Sequence, residues 1–207
     1  YHWLDPRYGT PEYQADFYLD NFYFKYPTEF PPVLDFEDNE VNSWNDMLWR
    51  GQKWLEIVEE KTGRIPIVYT SNGYMANFLQ SNAGFLQHYP LWVAHYIQRS
   101  YPTVPKPWIK ATMWQYSDKG DYPYYEYNSP EKYGRDWGSG SSYLDMNWFM
   151  GTYFDLLKFC DVNDPNPSPP EDGILFKAKC IKAFRRTRKG PGKSYPIVGQ
   201  LMYGEVV

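Results

Sequence analysis

The sequence is poor in the residues on which metal and thiol chemistry depend. Its 207 residues include two cysteines, Cys160 and Cys180, and three histidines, His2, His88 and His95. The cysteines form neither a Cys-x-x-Cys pair nor a zinc set, and the histidines lack metal-ligand spacing. No metal or other cofactor is therefore expected. Two cysteines alone leave the redox compartment open. No apolar run approaches the roughly 20 residues of a membrane helix, which excludes a helical span. A glycine-rich phosphate loop and a Gly-x-Ser-x-Gly elbow are both absent, so nucleophilic Ser or Cys catalysis has no support. No internal repeat of about 20–50 residues is present. The chain opens without Met at Tyr1-His2-Trp3, which reads as the end of a buried strand. The expectation is a fragment, so the missing signal peptide carries no information.

What is abundant is aromatic. The chain holds 9 Trp, 21 Tyr and 12 Phe, 20% of its residues. Such rings fill cores, and Tyr and Trp also line grooves where one edge stays wet. Apolar residues at 43% and charged residues at 22% are those of a globular protein. The net charge of −4 is uneven. Residues 171–207 carry eight basic and three acidic side chains, a balance of +5, which leaves −9 on the first 170 residues. An acidic body does not suit nucleic acid. The basic tail suits either solvent or an anionic polymer.

Thr10-Pro11-Glu12 reads as an N-cap followed by Pro at the first helical position, which predicts a helix over 11–22. Val33 to Glu37 reads as a short strand. Asn42 or Ser43 caps a second helix with Trp44, Leu48, Leu55 and Val58 on one face and Gly63 as its stop. Strands are expected at 65–69, 91–96 and 111–116, a helix at 73–80 and a long loop at 118–142. Asp145 is placed at the end of a further strand, with a closing helix to about 159. Short apolar strands alternating with helices predict an α/β fold with a parallel sheet or barrel. Residues 1–160 make the main domain, the Pro-rich stretch 161–173 a linker, and 174–207 part of a small all-β module.

Asp35-Phe36-Glu37 is the sharpest local feature. Residues i and i+2 of a strand share a face, with Cα atoms roughly 6–7 Å apart. Two carboxylates then sit side by side at the C-terminal end of an apolar strand, the catalytic rim of a (β/α) barrel. Like charges in a partly dry cleft resist joint ionisation, so one carboxyl keeps a proton. That is the equipment of glycoside hydrolysis. Asp145, Tyr69, Trp92 and Gln115 near other strand ends are further candidates.

Tyr1-His2-Trp3, Gln14-Ala15, Pro32 to Glu37, Ile67-Val68-Tyr69-Thr70, Leu91-Trp92-Val93-Ala94, Trp114-Gln115-Tyr116-Ser117 and Asp145-Met146-Asn147-Trp148-Phe149 occur in one order. This series, over residues 1 to about 155, resembles glycoside hydrolase family 25, the Chalaropsis-type muramidases. The resemblance implies an irregular (β/α) barrel that cleaves the β-1,4 bond after N-acetylmuramic acid in peptidoglycan. It implies Glu37 as general acid and Asp35 as the partner assisting the sugar's 2-acetamido group. Asp145 matches the Asp of the family's Asp-Leu-Asn motif, with Met146 in place of Leu. Tyr1, Tyr69, Trp92 and Gln115 match positions along the glycan groove. Family members open on a strand carrying Asp-Val-Ser, whereas the resemblance here begins at the end of the third strand. An incomplete barrel with open strand edges is therefore expected.

Residues 188–199 and 203–207 resemble the first half of a bacterial SH3-type wall-binding domain, with Arg186-Thr187-Arg188 in place of the usual Asn-Val-Arg. This implies a second partner, a wall peptide or an anionic wall polymer, and a protein secreted to the cell wall or released as a phage endolysin. Two alternatives accompany this reading. One is a non-catalytic wall-binding protein with a lapsed barrel. The other is a chitinase-like family 18 hydrolase, which expects Asp where Phe30 and Val33 stand.

Overall fold

The computed structural model describes residues 1–26, 28–78, 82–97, 101–118 and 145–162, and the backbone of 184–188 and 197–202. The expected loop over 118–142 beyond Asp118, nearly all of the 161–173 linker, most of the 174–207 module, and Cys180 lie outside these residues. The chain divides into two units. The first is 1–95 with 101–115 and 147–163, and the second is 96–100 with 116–146 and 164–207.

Local chemistry sets the elements of the first unit. β1 (His2–Trp3) leads to α1 (Pro11–Tyr18), where the Thr10 side chain accepts from the Tyr13 amide and Pro11 opens the helix. The helix continues as a wide π-helical turn over Leu19–Tyr23. β2 (Val33–Asp35) follows. α2 (Trp44–Thr62) is capped by Ser43 and stopped by Gly63 at φ 66°, a left-handed conformation that favours glycine. β3 (Ile67–Ser71), α3 (Asn72–Met75) and a 3-10 turn (Ala76–Phe78) come next. A second 3-10 helix, Ala83–His88, which the sequence did not signal, leads into β4 (Leu91–Ala94). β5 (Met113–Ser117), β6 (Met146–Phe149) and α4 (Tyr153–Phe159) follow, and Thr152 and Asp155 close a capping box on α4.

The strands form one sheet in the order β1-β2-β3-β4-β5-β6. β1 to β5 are parallel neighbours. β6 departs from the parallel expectation. The Met150 amide, just past β6, donates to the Thr112 carbonyl, just before β5, at 2.8 Å. The end of β6 thus lies at the start of β5, so β6 runs against the rest and the sheet is mixed. Asp145 therefore opens β6 and does not end a strand, a correction to the sequence reading. Among the described residues the sheet is open, with β1 and β6 at its edges.

In the second unit, β7 (Phe184–Arg188) and β8 (Ile197–Met202) pair antiparallel, with a register shift at Thr187/Arg188. No helix among the described residues is long and apolar enough to cross a membrane.

Candidate active site

The pleat assigns side chains to faces. In one lateral row His2, Leu34, Val68 and Leu91 are partners, and in the next Thr70, Val93 and Trp114 are. These rows face the helices. Leu34, Val68, Val93 and Trp114 are fully buried, and the His2 ring stacks on Trp54 of α2 at 5.5 Å. Phe36 shares this side. Its ring packs edge-on against Tyr74 at 5.4 Å and lies over Phe78 at 5.5 Å. A Cβ at Gly51 of α2 would come within 2.8 Å of it. Glycine is the residue that admits the ring.

With Phe36 directed at α2, Asp35 projects to the opposite side, and Glu37 follows just past the strand, where its charge acts on the Asp35 carboxyl. On the side of Asp35 the register gives a row of Trp3, Asp35, Tyr69, Trp92 and Met113. Below it Val33 pairs with Ile67, and both are buried. Above it Ser71, Ala94 and Gln115 are partners. The open face thus passes from an apolar floor to an aromatic and carboxylate layer, and then to a polar rim at the strands' C-terminal ends. The Tyr69 hydroxyl donates to Gln115 Oε1 at 2.8 Å. The Tyr69 and Trp92 rings meet edge-on at 5.3 Å, and Trp92 Nε1 donates to Asn147 Oδ1 at 2.8 Å. These bonds tie β3 to β5 and β4 to β6 across the face that carries Asp35.

Asp35 is buried, and its Oδ1 has no hydrogen-bond partner. Burial, and secondarily the charge of Glu37, push its carboxyl up to about 7. Such a group exchanges a proton near neutrality, and its aim is away from the core. Glu37 is half-buried and lies just past the strand, while the Phe36 amide before it still donates to the Tyr69 carbonyl at 2.8 Å. The adjacent Asp38, 3% exposed, accepts from Trp3 Nε1 at 3.0 Å and from the Glu40 amide at 2.7 Å.

The structure therefore brings Asp35, Tyr69, Trp92 and Gln115 onto one face, with Glu37 beyond the end of β2. Tyr1, just ahead of β1, is exposed and is not gathered into the row. Asp145 is exposed, yet its carboxyl is held above the usual range by desolvation and by the charge of Asp118. Sequence reasoning gave no role to Trp3, Asp38 or Asn147. An acid directly after Asp35-Phe36-Glu37 was the one available signal for Asp38. No group of three or more potential metal ligands occurs among the described residues.

Comparisons with known proteins give the family and the fold. The model of glycosyl hydrolases family 25 matches residues 1–124. The uncharacterized protein YegX of Escherichia coli O157:H7 is 34% identical over 162 residues, 78% of this chain and 51% of that protein. Lysozyme M1 of Streptomyces globisporus is 30% identical over 128 residues, 58% of this chain and 43% of that one. The chain spans about half the length of the curated relatives it matches. The muramidase structure from Acremonium alcalophilum superposes with a TM-score of 0.59 at 23% identity, over 79% of this chain and 72% of that one, which gives the fold. The family match begins with β1 and extends past β5, including Asp35, Glu37, Tyr69, Trp92 and Gln115, and it sets aside the family 18 alternative. The chain belongs to glycosyl hydrolase family 25.

Proposed function

We propose that this protein hydrolyses the β-1,4 bond between N-acetylmuramic acid and N-acetylglucosamine in peptidoglycan. The observation that carries the reading is the Asp35–Glu37 pair, with Asp35 buried and raised to about 7, on the open polar face of the sheet. Relatives named N,O-diacetylmuramidase (Chalaropsis) and lysozyme M1 support the substrate class.

In this reading Glu37 donates a proton to the glycosidic oxygen as the C1–O bond breaks. The carbonyl oxygen of the sugar's own acetamido group closes on C1, and Asp35 holds the acetamido N–H as charge develops on that group. Water, deprotonated by Glu37, then attacks C1 and reopens the ring. The proton returns to Glu37, and two displacements leave the anomeric configuration retained. Tyr69, Trp92 and Gln115 bind the glycan, with Tyr1 at the edge. Asp145, assigned on its Asp-Met-Asn match, is a further carboxylate of the reaction. The basic residues of 174–207 hold a wall peptide or an anionic wall polymer, which raises the local concentration of the enzyme on its insoluble substrate. Such a protein works at the cell wall, as a secreted enzyme or as an endolysin released at host lysis.

Glu37→Gln keeps the shape and removes the transferable proton. On peptidoglycan the expected loss of kcat is on the order of 10²–10⁴. Near-normal turnover would remove Glu37 as the acid. A wild-type chain that binds walls without releasing sugar would favour the non-catalytic alternative.

A further inference from the structure

We propose that Asp38 is a positioning residue of this site, fixing both the backbone that carries Glu37 and the ring of Trp3. The inference rests on Glu37 being the acid of the proposed reaction. Asp38 is a carboxylate that is 3% exposed. Such burial is costly unless donors compensate it. Here two donors compensate it, Trp3 Nε1 of β1 at 3.0 Å and the Glu40 amide at 2.7 Å, and Arg7 Nη2 adds an ion pair at 3.5 Å. The Asp38 carbonyl in turn accepts the Tyr74 hydroxyl of α3 at 2.9 Å. Arg7 is itself held by Asp5 at 2.8 Å and by Glu40.

Glu37 thus sits between two pinned neighbours. Phe36 is wedged against Gly51, Tyr74 and Phe78, and Asp38 is anchored to β1, α3 and the Arg7 segment. The same carboxylate holds the indole N–H of Trp3, a residue 44% exposed in the row of Asp35. One buried acid therefore ties the proton donor's backbone to a wall of the site. Positioning of this kind acts on kcat, because small displacements of a reacting group cost large factors in rate.

The test uses the full chain with Asp38→Ala, Trp3→Phe and the double variant. Two readouts are taken. One is kcat and KM on soluble glycan fragments of alternating N-acetylmuramic acid and N-acetylglucosamine. The other is the ¹³C-carboxyl titration midpoint of Asp35, which senses whether Glu37 is still held beside it. For Asp38→Ala the expected result is a roughly 10–100-fold lower kcat with KM within about threefold. The Asp35 midpoint should also fall. Trp3→Phe should lose part of this, and the double variant less than the product of the two, as for residues acting through one contact. A folded Asp38→Ala protein with kcat within about twofold of wild type and an unmoved Asp35 midpoint overturns the proposal. Where Asp38→Ala does not fold, Trp3→Phe decides by the same two readouts, because it removes the donor and leaves the carboxylate with Arg7 and the Glu40 amide. A wild-type chain that cleaves nothing sinks the proposed function by itself. The Asp35 midpoint then decides for or against Asp38.

Discussion

The two faces of the sheet are built from the same five parallel strands and differ in everything but backbone. Toward the helices stand Leu34, Val68, Leu91, Val93 and Trp114, all sealed from solvent. Toward the open side stand Asp35, Tyr69, Trp92 and Gln115, where Tyr69 donates to Gln115 and meets the Trp92 ring, and Trp92 donates to Asn147. The first face follows the ordinary logic of burial, in which area removed from water stabilises. The second holds a buried carboxyl with an orphaned oxygen, which burial alone disfavours. A protein keeps such an arrangement where a ligand completes it. The contrast separates the residues that hold the sheet together from those to which the proposed reaction assigns roles.

The largest effect should come from the sealed face. Trp114→Ala removes a fully buried indole whose N–H donates to the His95 carbonyl at 2.8 Å. It should cost about 3–5 kcal/mol in denaturant unfolding, whatever the pH. Asp35→Asn should act in the opposite sense. The native carboxyl is raised from its ordinary 3.8 to about 7. Between these values the native state binds the proton and the unfolded chain has lost it, so this group lowers stability as pH rises through that window. The substitution should therefore stabilise above pH 7, by up to a few kcal/mol, leave stability near pH 3.5 unchanged, and abolish turnover. Equal gains at both pH values would mean that ionisation is not the cause. Gly51→Ala sets a methyl against the Phe36 ring and should cost about 1–3 kcal/mol, read as a lower melting temperature. Tyr69→Phe, on the open face, deletes the bond to Gln115. It should cost about 0.5–1.5 kcal/mol of stability, and its larger effect should appear in KM for glycan fragments.

Much of the sealed face is legible in the sequence, because periodicity and capping are local. Thr10-Pro11 and Gly63 mark helix ends where the structure has them, and Ser43 is the second cap. The strands begin or end a residue or two from their expected places: Ile65, read as the start of β3, is exposed ahead of Ile67. The α1 helix gives way to a π-helical turn after Tyr18, which composition does not signal. On the open face the Asp35–Glu37 pair is legible because a two-residue spacing fixes the side. The direction of β6 is not, since it depends on how the chain returns from β5, so Asp145 changes from the end of a strand to the start of one. Asp38 escapes for a similar reason. Its partners Trp3, Arg7 and Tyr74 are distant in sequence and meet it only through the fold.

The central claim is that the open face cleaves glycan through Glu37. The most direct test digests purified peptidoglycan with the wild-type chain and with Glu37→Gln at matched concentration, then identifies the new reducing ends by mass spectrometry after borohydride reduction. The account predicts reduced N-acetylmuramic acid ends from the wild type and at least about a hundredfold fewer from the variant at equal melting temperature. Reduced N-acetylglucosamine ends, or equal yields from both proteins, would contradict it.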